Sequence, residues 1–403
     1  MRKNLFLLSI IALLCASCSC NNSDTVRAEH GKTLPAWSEG HLDIHFINTG
    51  RGECCFYILP DGTTLLVDAG ELAEDEKSVA QRPNSDTAPH ITFAKYIKHF
   101  LPEGKSAIDY CSPSHLHTDH IGGEEMVIAT AEAGYRKAGL TALYDYVPFN
   151  HILDHAYPTY TEDDVTPAIE GQLSEDWATF VTWGVNEGKF TAERFTPGKE
   201  QIILQHNAEK YSDFSLLNIC ANGFVVCKNS DGSVGITGKK QQAGGNSSSC
   251  GFHIRYGKFD YIACGDLTSS PQNLVAYYFR DFIGNGNLDA FKCHHHLANN
   301  SWGSQMQNCN FDPQVVLNHS FTAKKPHPEP LSRVLANCQD FFATNIHPDI
   351  AAANRELIDK IAGYNGHIVL RVKPGGKIFY VYMLDDSDFE YRVKSIHGPY
   401  NSK

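Results

Sequence analysis

The chain interleaves short apolar strand patterns with helical patterns, and this mixed order predicts an α+β fold built as an αββα sandwich. Apolar runs that end in polar turns indicate strands at residues 64–70, 107–111, 261–266 and 314–318. Helical patterns cover residues 271–282 and 350–361. Two sheets packed face to face, with helices outside them, would cover the apolar face of each of these elements.

The most informative segment is residues 114–120, Ser-His-Leu-His-Thr-Asp-His, because it places four metal-ligand side chains close together. These side chains are His115, His117, Asp119 and His120. Imidazole nitrogens and carboxylate oxygens at this density need a cation to organise them. A solvated polar loop fits less well, because an apolar run precedes the motif and Gly122-Gly123 follows it. The spacing predicts a binuclear metal site.

This motif, followed by Gly-Gly, resembles the metallo-β-lactamase superfamily. Asp68 ends an apolar strand and resembles the family's Asp that orients metal ligands without binding the ion, although a simple turn Asp is the alternative. Asp266 resembles the Asp that bridges the two metals. The run 294–296 stands where the family supplies its last histidine, and an ungapped comparison favours His296 as the ligand.

Within the superfamily, the chain resembles the soluble hydrolase domain of the DNA-uptake protein ComEC and related phosphodiesterases. Residues 45–53, His-Phe-Ile-Asn-Thr-Gly-Arg-Gly-Glu, resemble the opening pattern of that group. Residues 256–259 resemble its hairpin turn, residues 326–329 a later His-Pro segment, and residues 366–382 its closing β-hairpin. The likeness spans roughly residues 43–383. It implies a sandwich of the metallo-β-lactamase type and hydrolysis of phosphoester bonds.

Two positions depart from the family pattern. Where the superfamily usually supplies a third His motif, this chain has residues 244–249, Gly-Gly-Asn-Ser-Ser-Ser, although the ComEC-like group tends to Asn-Ser there. We place Asn246, like Asp68, beside the ligands, and expect one metal to be held by fewer protein groups, because Asn is a poorer zinc ligand than imidazole. In addition, Leu297-Ala298 replaces the usual Gly-Ser after the last histidines, which leaves the register among residues 294–296 open.

The chain ends are predicted to lie outside the catalytic domain. A basic start and a short apolar core indicate a secretion signal, and small residues before Cys18 resemble a bacterial lipoprotein cleavage site. Cys20 is the second choice for acylation, and a plain secretory signal is the alternative. The predicted organisation is a signal peptide at 1–18, a tether at 19–40, the hydrolase domain at 41–385 and a C-terminal tail at 386–403. We expect an extracytoplasmic protein, lipid-anchored in the periplasm or outer membrane.

A large insertion is predicted at about residues 126–245. A helical pattern covers residues 124–139, and apolar patterns at residues 202–204 and 216–227 indicate strands that join the sheets. Between them lies a segment rich in aromatic residues, from Tyr144 to Trp183. These aromatics are more often core than pocket wall.

The cysteines and the ligand types bear on the metal. Ten cysteines follow residue 20, and their spacing identifies no disulfide; buried free thiols are expected at Cys111, Cys264 and Cys293. Asp266 stands where a metal-dependent β-lactamase would have Cys, which argues against that enzyme. His117 stands where redox diiron relatives have an acidic residue. Two Zn²⁺ ions are therefore expected, with Mn²⁺ as the alternative.

The expected mechanism is hydrolysis by a hydroxide held between two ions. The first ion takes His115 and His117, the second takes Asp119, His120 and His296, and Asp266 bridges them. The catalytic residues are then Asp119 together with His295 and His327. The two histidines would bind a substrate oxyanion or protonate the leaving oxygen, unless they are structural.

The substrate is predicted less sharply than the site. A net charge of -12 argues against extended nucleic acid, although a local groove near residues 239–240 or 324–325 stays open. A small phosphodiester, a phosphorylated envelope component and a short nucleic acid all fit. The alternatives are a lactone or β-lactam hydrolase and a non-catalytic metal-binding surface protein.

Overall fold

The computed structural model describes residues 27–160, 173–240 and 245–403. Two nine-stranded sheets pack face to face, and helices cover their outer faces. The predicted αββα sandwich is confirmed.

The strands, in chain order, are β1 Leu42–Phe46, β2 Cys55–Ile58, β3 Thr64–Val67, β4 Ile108–Cys111, β5 Ala129–Thr130, β6 Arg136–Lys137, β7 Phe149–Asp154, β8 Thr191–Arg194, β9 Phe214–Ala221, β10 Phe224–Lys228, β11 Val234–Gly238, β12 Gly251–Tyr256, β13 Phe259–Ala263, β14 Ala290–Lys292, β15 Val315–Asn318, β16 Asp340–Ala343, β17 Gly363–Tyr364, β18 His367–Val372, β19 Ile378–Leu384 and β20 Val393–Asn401. The helices are α1 Pro89–Phe100, α2 Thr118–Ile121, α3 Gly139–Leu143, α4 Ser174–Asn186, α5 Ser269–Phe282, α6 Ser304–Asn308, α7 Pro328–Leu335, α8 Pro348–Ala353 and α9 Arg355–Ile358.

The two large sheets are mixed. The first has the order β20-β19-β18-β1-β2-β3-β4-β7-β8, and the second has the order β11-β10-β9-β12-β13-β14-β15-β16-β17. Strands β3, β4, β7 and β8 are parallel neighbours in the first sheet, as are β13 to β17 in the second. Parallel strands end at one edge of their sheet, so the loops that follow β3, β4, β13 and β14 can meet there.

Three apolar layers hold the sandwich together. Side chains such as Ile44 and Tyr57 from the first sheet meet Phe252 and Tyr261 from the second in the layer between the sheets. Because side chains alternate along a strand, the neighbouring residues face outward. They pack under α1 and α4 on the first sheet and under α5 on the second. All of these layers are buried, and the burial of their apolar surface is the main favourable contribution to folding.

The predicted insertion belongs in part to the sheets. Strands β7 and β8 extend the first sheet, while β9 to β11 extend the second. The pattern at 216–227 therefore forms strands as predicted, whereas residues 202–204 form none. Most of the aromatic segment lies in or against the apolar layer under α4, including Phe149, Trp177 and Trp183.

The helix predicted over residues 124–139 is wrong. This segment holds a single 3-10 turn at Glu124–Met126, followed by the hairpin β5-β6. Gly134 reverses the chain with a φ of +92°, a conformation that favours glycine and interrupts a helix. The side chain of Tyr135 then packs against Phe180 and Trp183, which fixes the hairpin on the domain.

Other predicted elements agree with the structure. Helix α5 covers the pattern at 271–282, β15 covers the pattern at 314–318, and β18 and β19 form the closing hairpin. The single helix predicted at 350–361 is divided in the structure into two short helices, α8 and α9, because Asn354 leaves the helical conformation between them. The ten cysteines of the described residues are all free, and Cys111, Cys264 and Cys293 are buried as predicted.

The chain ends add to the sandwich. The range 386–403, set apart as a tail by the sequence, contains β20, which pairs with β19 at the edge of the first sheet. Within the predicted tether, Leu34 is buried and Thr33 bridges to Arg392. The predicted signal peptide, with Cys18 and Cys20, lies outside the described residues. No helix in the described ranges is long and apolar enough to cross a membrane.

A buried ion pair joins β1 to β18, and it generates a prediction about stability. Asp43 and Arg371 face each other across the two strands, with hydrogen bonds of 2.8 and 2.6 Å from the guanidinium to the carboxylate. Burial alone would raise the pKa of Asp43, but attraction to Arg371 outweighs it and holds the pKa well below its usual range. This contribution to stability is present above the ordinary pKa of Asp and is lost as the pH falls towards the lowered value.

Replacing Arg371 by Met should lower the free energy of unfolding by about 3–5 kcal/mol at neutral pH, because it leaves the Asp43 carboxylate buried without the guanidinium that compensates its charge. Urea denaturation followed by fluorescence measures the change. The double variant Asp43→Asn/Arg371→Met is the control and should recover much of the loss. Equal unfolding midpoints for the single variant and the wild type would contradict the assignment.

Candidate metal centre

Asp68 organises the metal motif from the end of β3. Its carboxylate accepts hydrogen bonds from the Ser114 amide at 2.6 Å, the Ser114 hydroxyl at 2.8 Å and His120 Nδ1 at 2.8 Å. Gly70 packs against the backbone of Asp119, where an added Cβ would lie only 1.8 Å from the carbonyl oxygen. The Asp-Ala-Gly turn is therefore needed both to orient His120 and to admit the metal loop.

The first half of the site lies between His115, His117 and Asn246. His115 Nε2 is 3.0 Å from His117 Nδ1 and 3.1 Å from Asn246 Oδ1. Burial lowers the pKa of both histidines, which favours the neutral imidazole that binds metals. The amide of Asn246 thus stands beside the two imidazoles where a third histidine would complete the set.

His295 fixes the direction of that amide. Asn246 Nδ2 lies 3.2 Å from His295 Nε2, and His295 Nδ1 lies 2.8 Å from Asn300 Oδ1. An amide nitrogen only donates, so His295 Nε2 accepts and its proton is on Nδ1, facing Asn300. Burial lowers the pKa of His295 to about 4, so it is neutral near pH 7. The oxygen of Asn246 is left facing His115.

The second half of the site converges on Asp266. One of its carboxylate oxygens lies 3.2 Å from His120 Nε2 and 3.1 Å from His296 Nε2. Asp119 approaches the same two nitrogens at 3.7 and 3.3 Å, and its side chain is 17% exposed while the others are buried. Both Nε2 atoms and Asp266 Oδ1 are buried without a hydrogen-bond partner of good geometry. Two buried imidazole nitrogens without hydrogen-bond partners, both close to one carboxylate, fit a divalent metal ion.

The electrostatics of this half favour a cation. Burial opposes charge on every group, yet His296 and His120 hold the pKa of Asp266 well below its usual range. In the same way, Asp266, Asp68 and Asp119 outweigh burial and raise the pKa of His120 well above its usual range. The carboxylates are therefore ionised, and they draw positive charge to the point that they surround.

A residue that the sequence left without a role, Glu53, completes the buried cluster. Glu53, His120, Asp266 and His296 each offer a ligand atom within 4.8 Å of the others. One oxygen of Glu53 lies 2.9 Å from Lys292 Nζ, and the other lies 3.5 Å from His296 Nδ1. Because Asp119 and Asp266 lie at Nε2 of His296, Glu53 fits best as the carboxylate that orients this ring from behind. Asp68 has the same relation to His120.

The sequence carried a signal for this pair. Glu53 ends the opening pattern at 45–53, and Lys292 is a charged residue in the otherwise apolar strand β14. Fully buried charges are rare unless they are paired. A second group, Glu53 with Cys55 and His319, is less suited to a metal, because burial raises the pKa of the Cys55 thiol well above its usual range.

The other predicted histidines fall into different surroundings. His294 is buried with its ring against Phe291, at a centroid distance of 5.0 Å, so His296 is the member of residues 294–296 that reaches Asp266. His327 caps α7, where its Nδ1 accepts from the Glu329 amide at 3.4 Å. It lines a cavity beside the metal centre. The catalytic roles of His295 and His327 stay predictions.

Comparison with known proteins gives structural neighbours only. No family model matches the chain, and no curated protein matches it by sequence. Its structural neighbours include the diiron β-hydroxylase CmlA from Streptomyces venezuelae, at 12% identity over 84% of this chain and 55% of that one, with a TM-score of 0.38. They also include the metallo-β-lactamase SMB-1, at 13% identity over 80% of this chain and 93% of that one, with a TM-score of 0.31.

A third neighbour is a metallo-β-lactamase from Cronobacter sakazakii, at 12% identity over 65% of this chain and 78% of that one, with a TM-score of 0.31. This chain spans about half the length of the hydroxylase. Two of these neighbours are thus metallo-β-lactamases at low identity, and scores this low carry no argument about chemistry. The site is argued from its own residues.

The two candidate ligand positions at 294 and 296 can be separated by metal content. His296→Asn should lose about one equivalent of zinc, because it removes an imidazole from the set around Asp266. His294→Asn is the matched control and should keep the zinc content of the wild type. Elemental analysis after dialysis measures both, and the reverse pattern would place the ligand at His294.

The weaker half of the site can be strengthened by one substitution. Asn246→His should bind its zinc ion at least about tenfold more tightly, because imidazole is a better zinc ligand than an amide oxygen. Competition with a chromophoric chelator measures the affinity. Asn287→His, on an exposed loop, is the control for an added surface histidine and should change nothing. Unchanged zinc affinity in Asn246→His would show that this position does not face the ion.

Proposed function

We propose that this protein is a metal-dependent hydrolase of small phosphodiesters that uses zinc, with manganese as the alternative. The observation that carries the proposal is the convergence of His120 and His296 on one oxygen of Asp266, beside the partly exposed carboxylate of Asp119. This set offers nitrogen and oxygen donors to a divalent ion and keeps one side open to solvent.

Two ions fit the donor set. The first would be held by His115, His117 and the oxygen of Asn246, and the second by Asp119, His120 and His296, with Asp266 between them. Such ions act as Lewis acids on an ester and make water a stronger nucleophile at neutral pH.

The protein's own residues hold this arrangement in place. Asp68 and Glu53 fix the rings of His120 and His296 from their Nδ1 sides. His295 is neutral, with its proton directed at Asn300, so it serves to orient Asn246 rather than to protonate a leaving group. In His327 the acceptor role of Nδ1 leaves the proton on Nε2, which can donate to an oxygen of the substrate.

The choice of a phosphoester rests on charge and on the resemblance. Burial alone would raise the pKa of Asp119, but attraction to the histidines holds it well below its usual range, and Lys325 lowers it further. Lys325 therefore contributes a positive charge near the partly exposed side of the site. A cation there favours an anionic substrate. The ComEC-like opening pattern at 45–53, and Asp rather than Cys at position 266, point the same way.

Purified protein loaded with Zn²⁺ or Mn²⁺ should hydrolyse bis-p-nitrophenyl phosphate. Asp266→Ala should abolish turnover, and Asp68→Asn should reduce it by about 10–100-fold, because it releases His120. Asp231→Asn, on an exposed turn, is the control and should leave turnover unchanged. Release of p-nitrophenolate measures all four proteins.

A chromogenic β-lactam is assayed in parallel. Turnover of the lactam without the diester would replace this proposal with a lactam hydrolase. No turnover of either substrate by protein with both ions bound would favour a non-catalytic metal-binding role.

A further inference from the structure

A cavity of about 530 Å³ opens beside the metal centre. Its walls come from the turn after β14, the loop between β15 and α7, and the segment at α8. They carry the apolar residues Ala298, Ala323, Pro326, Pro328, Ile350 and Ala353. Their polar neighbours are His295, Asn299, Lys324, Lys325, His327, Asp349 and Asn354. This volume is in the range of cavities that bind small organic ligands.

The cavity and the metal centre share residues and backbone contacts. His295 lines the cavity, and its other side orients Asn246 at the metal centre. The His327 amide donates to the Leu297 carbonyl at 2.8 Å, which ties the loop between β15 and α7 to the histidine turn. In the same loop, the Phe321 ring lies against His296 at a centroid distance of 4.7 Å. The cavity therefore lies next to the metal centre, with His295 between the two.

The charge in the cavity is positive. Lys324 and Lys325 line it, and neither ammonium group forms an ion pair within the described ranges. The one acidic residue of the lining, Asp349, is turned towards solvent, with its side chain 85% exposed. Lys325 belongs to the loop whose Phe321 ring lies against His296, and its charge acts on Asp119, His295 and His296. The Ser320 hydroxyl donates to the Lys325 carbonyl and holds this part of the loop.

A larger cavity, of about 1130 Å³, serves as a contrast. Residues 27–41 and the region around Arg371 contribute to its walls, and none of its lining residues belongs to the metal centre. Size alone therefore does not identify a substrate site. The smaller cavity is distinguished by its position and by its unpaired lysines.

We propose that the cavity between His295, Lys325 and Ile350 is a substrate subsite for an anionic ester that carries an apolar, ring-sized arm. This inference rests on the proposed function and names its substrate class. Lys325 holds the anionic group next to the metal centre, with Lys324 and His327 beside it. The alanine, proline and isoleucine side chains of the cavity wall pack against the apolar arm of the substrate. A flat polymer chain would leave this apolar wall uncovered, so the geometry points to a small ester.

Binding of phenylphosphonate and inorganic phosphate to the zinc-loaded protein tests the subsite without requiring turnover. Calorimetry should show phenylphosphonate binding about tenfold more tightly than phosphate, because it buries a ring. Lys325→Gln should weaken both ligands by about tenfold, since it removes a charged donor. Lys377→Gln, an exposed lysine outside the lining, is the matched control and should change neither affinity.

Two substitutions fill the cavity from its exposed rim. Ala353→Trp and Asn299→Trp alter exposed positions, so the buried core is left intact. Each should weaken phenylphosphonate by about tenfold while leaving phosphate unchanged. Melting temperatures confirm that each variant is folded.

The outcomes separate this inference from the proposed function. The subsite proposal would be overturned, even if the diester is hydrolysed, by either of two results. One is an unchanged affinity for phenylphosphonate in both rim variants, and the other is an unchanged affinity for phosphate in Lys325→Gln. The expected binding pattern without hydrolysis of bis-p-nitrophenyl phosphate would support the subsite and reject the diesterase. Both results together would support the complete assignment.

Discussion

The structure depends on the buried negative charge around Asp266. Asp68, Asp119 and Asp266 surround two histidines, His120 and His296, and Glu53 adds a fourth carboxylate that pairs with Lys292. The charge of Lys292 balances that of Glu53, so the other three carboxylates need the positive charge of protonated His120 and His296 or of a bound cation. Burying this much charge without compensation is very unfavourable. A divalent cation, which binds neutral imidazoles, would supply this compensation in place of the two protons.

The sandwich makes this concentration of charge possible. Asp68 follows β3 and the metal motif follows β4 in the first sheet, while Asp266 follows β13 and the histidine turn follows β14 in the second. Each pair of strands is parallel, so its loops leave at the same edge. The apolar layer between the sheets then brings the two edges together. Residues far apart in the chain thus become neighbours because of strand direction, not because of local sequence.

This explains what could be predicted from the sequence. The motif at 114–120 and the strand-ending Asp68 and Asp266 are local patterns, and the structure brings them together. The pairing of Glu53 with Lys292 joins two distant segments and leaves no local pattern beyond two charges near apolar strands. Strand β20 was missed because most of its residues are exposed or half-buried at a sheet edge, where the alternation of apolar residues is weak.

The histidine turn shows how local strain serves the site. His295, His296 and Leu297 all have positive φ, at 49°, 50° and 60°, a conformation that costs roughly 1–3 kcal/mol for each non-glycine residue. Surrounding contacts hold it: the Ser301 hydroxyl donates to the His294 carbonyl, and the His327 amide donates to the Leu297 carbonyl.

As a result of this strained turn, two adjacent histidine rings contact different parts of the structure. His296 reaches Asp266, while His295 lies between Asn246 and the cavity. In a relaxed helix or strand, the side chains of two consecutive residues would point too far apart for one to reach Asp266 and the other to reach Asn246. The strained turn is therefore what joins the metal centre to the cavity beside it.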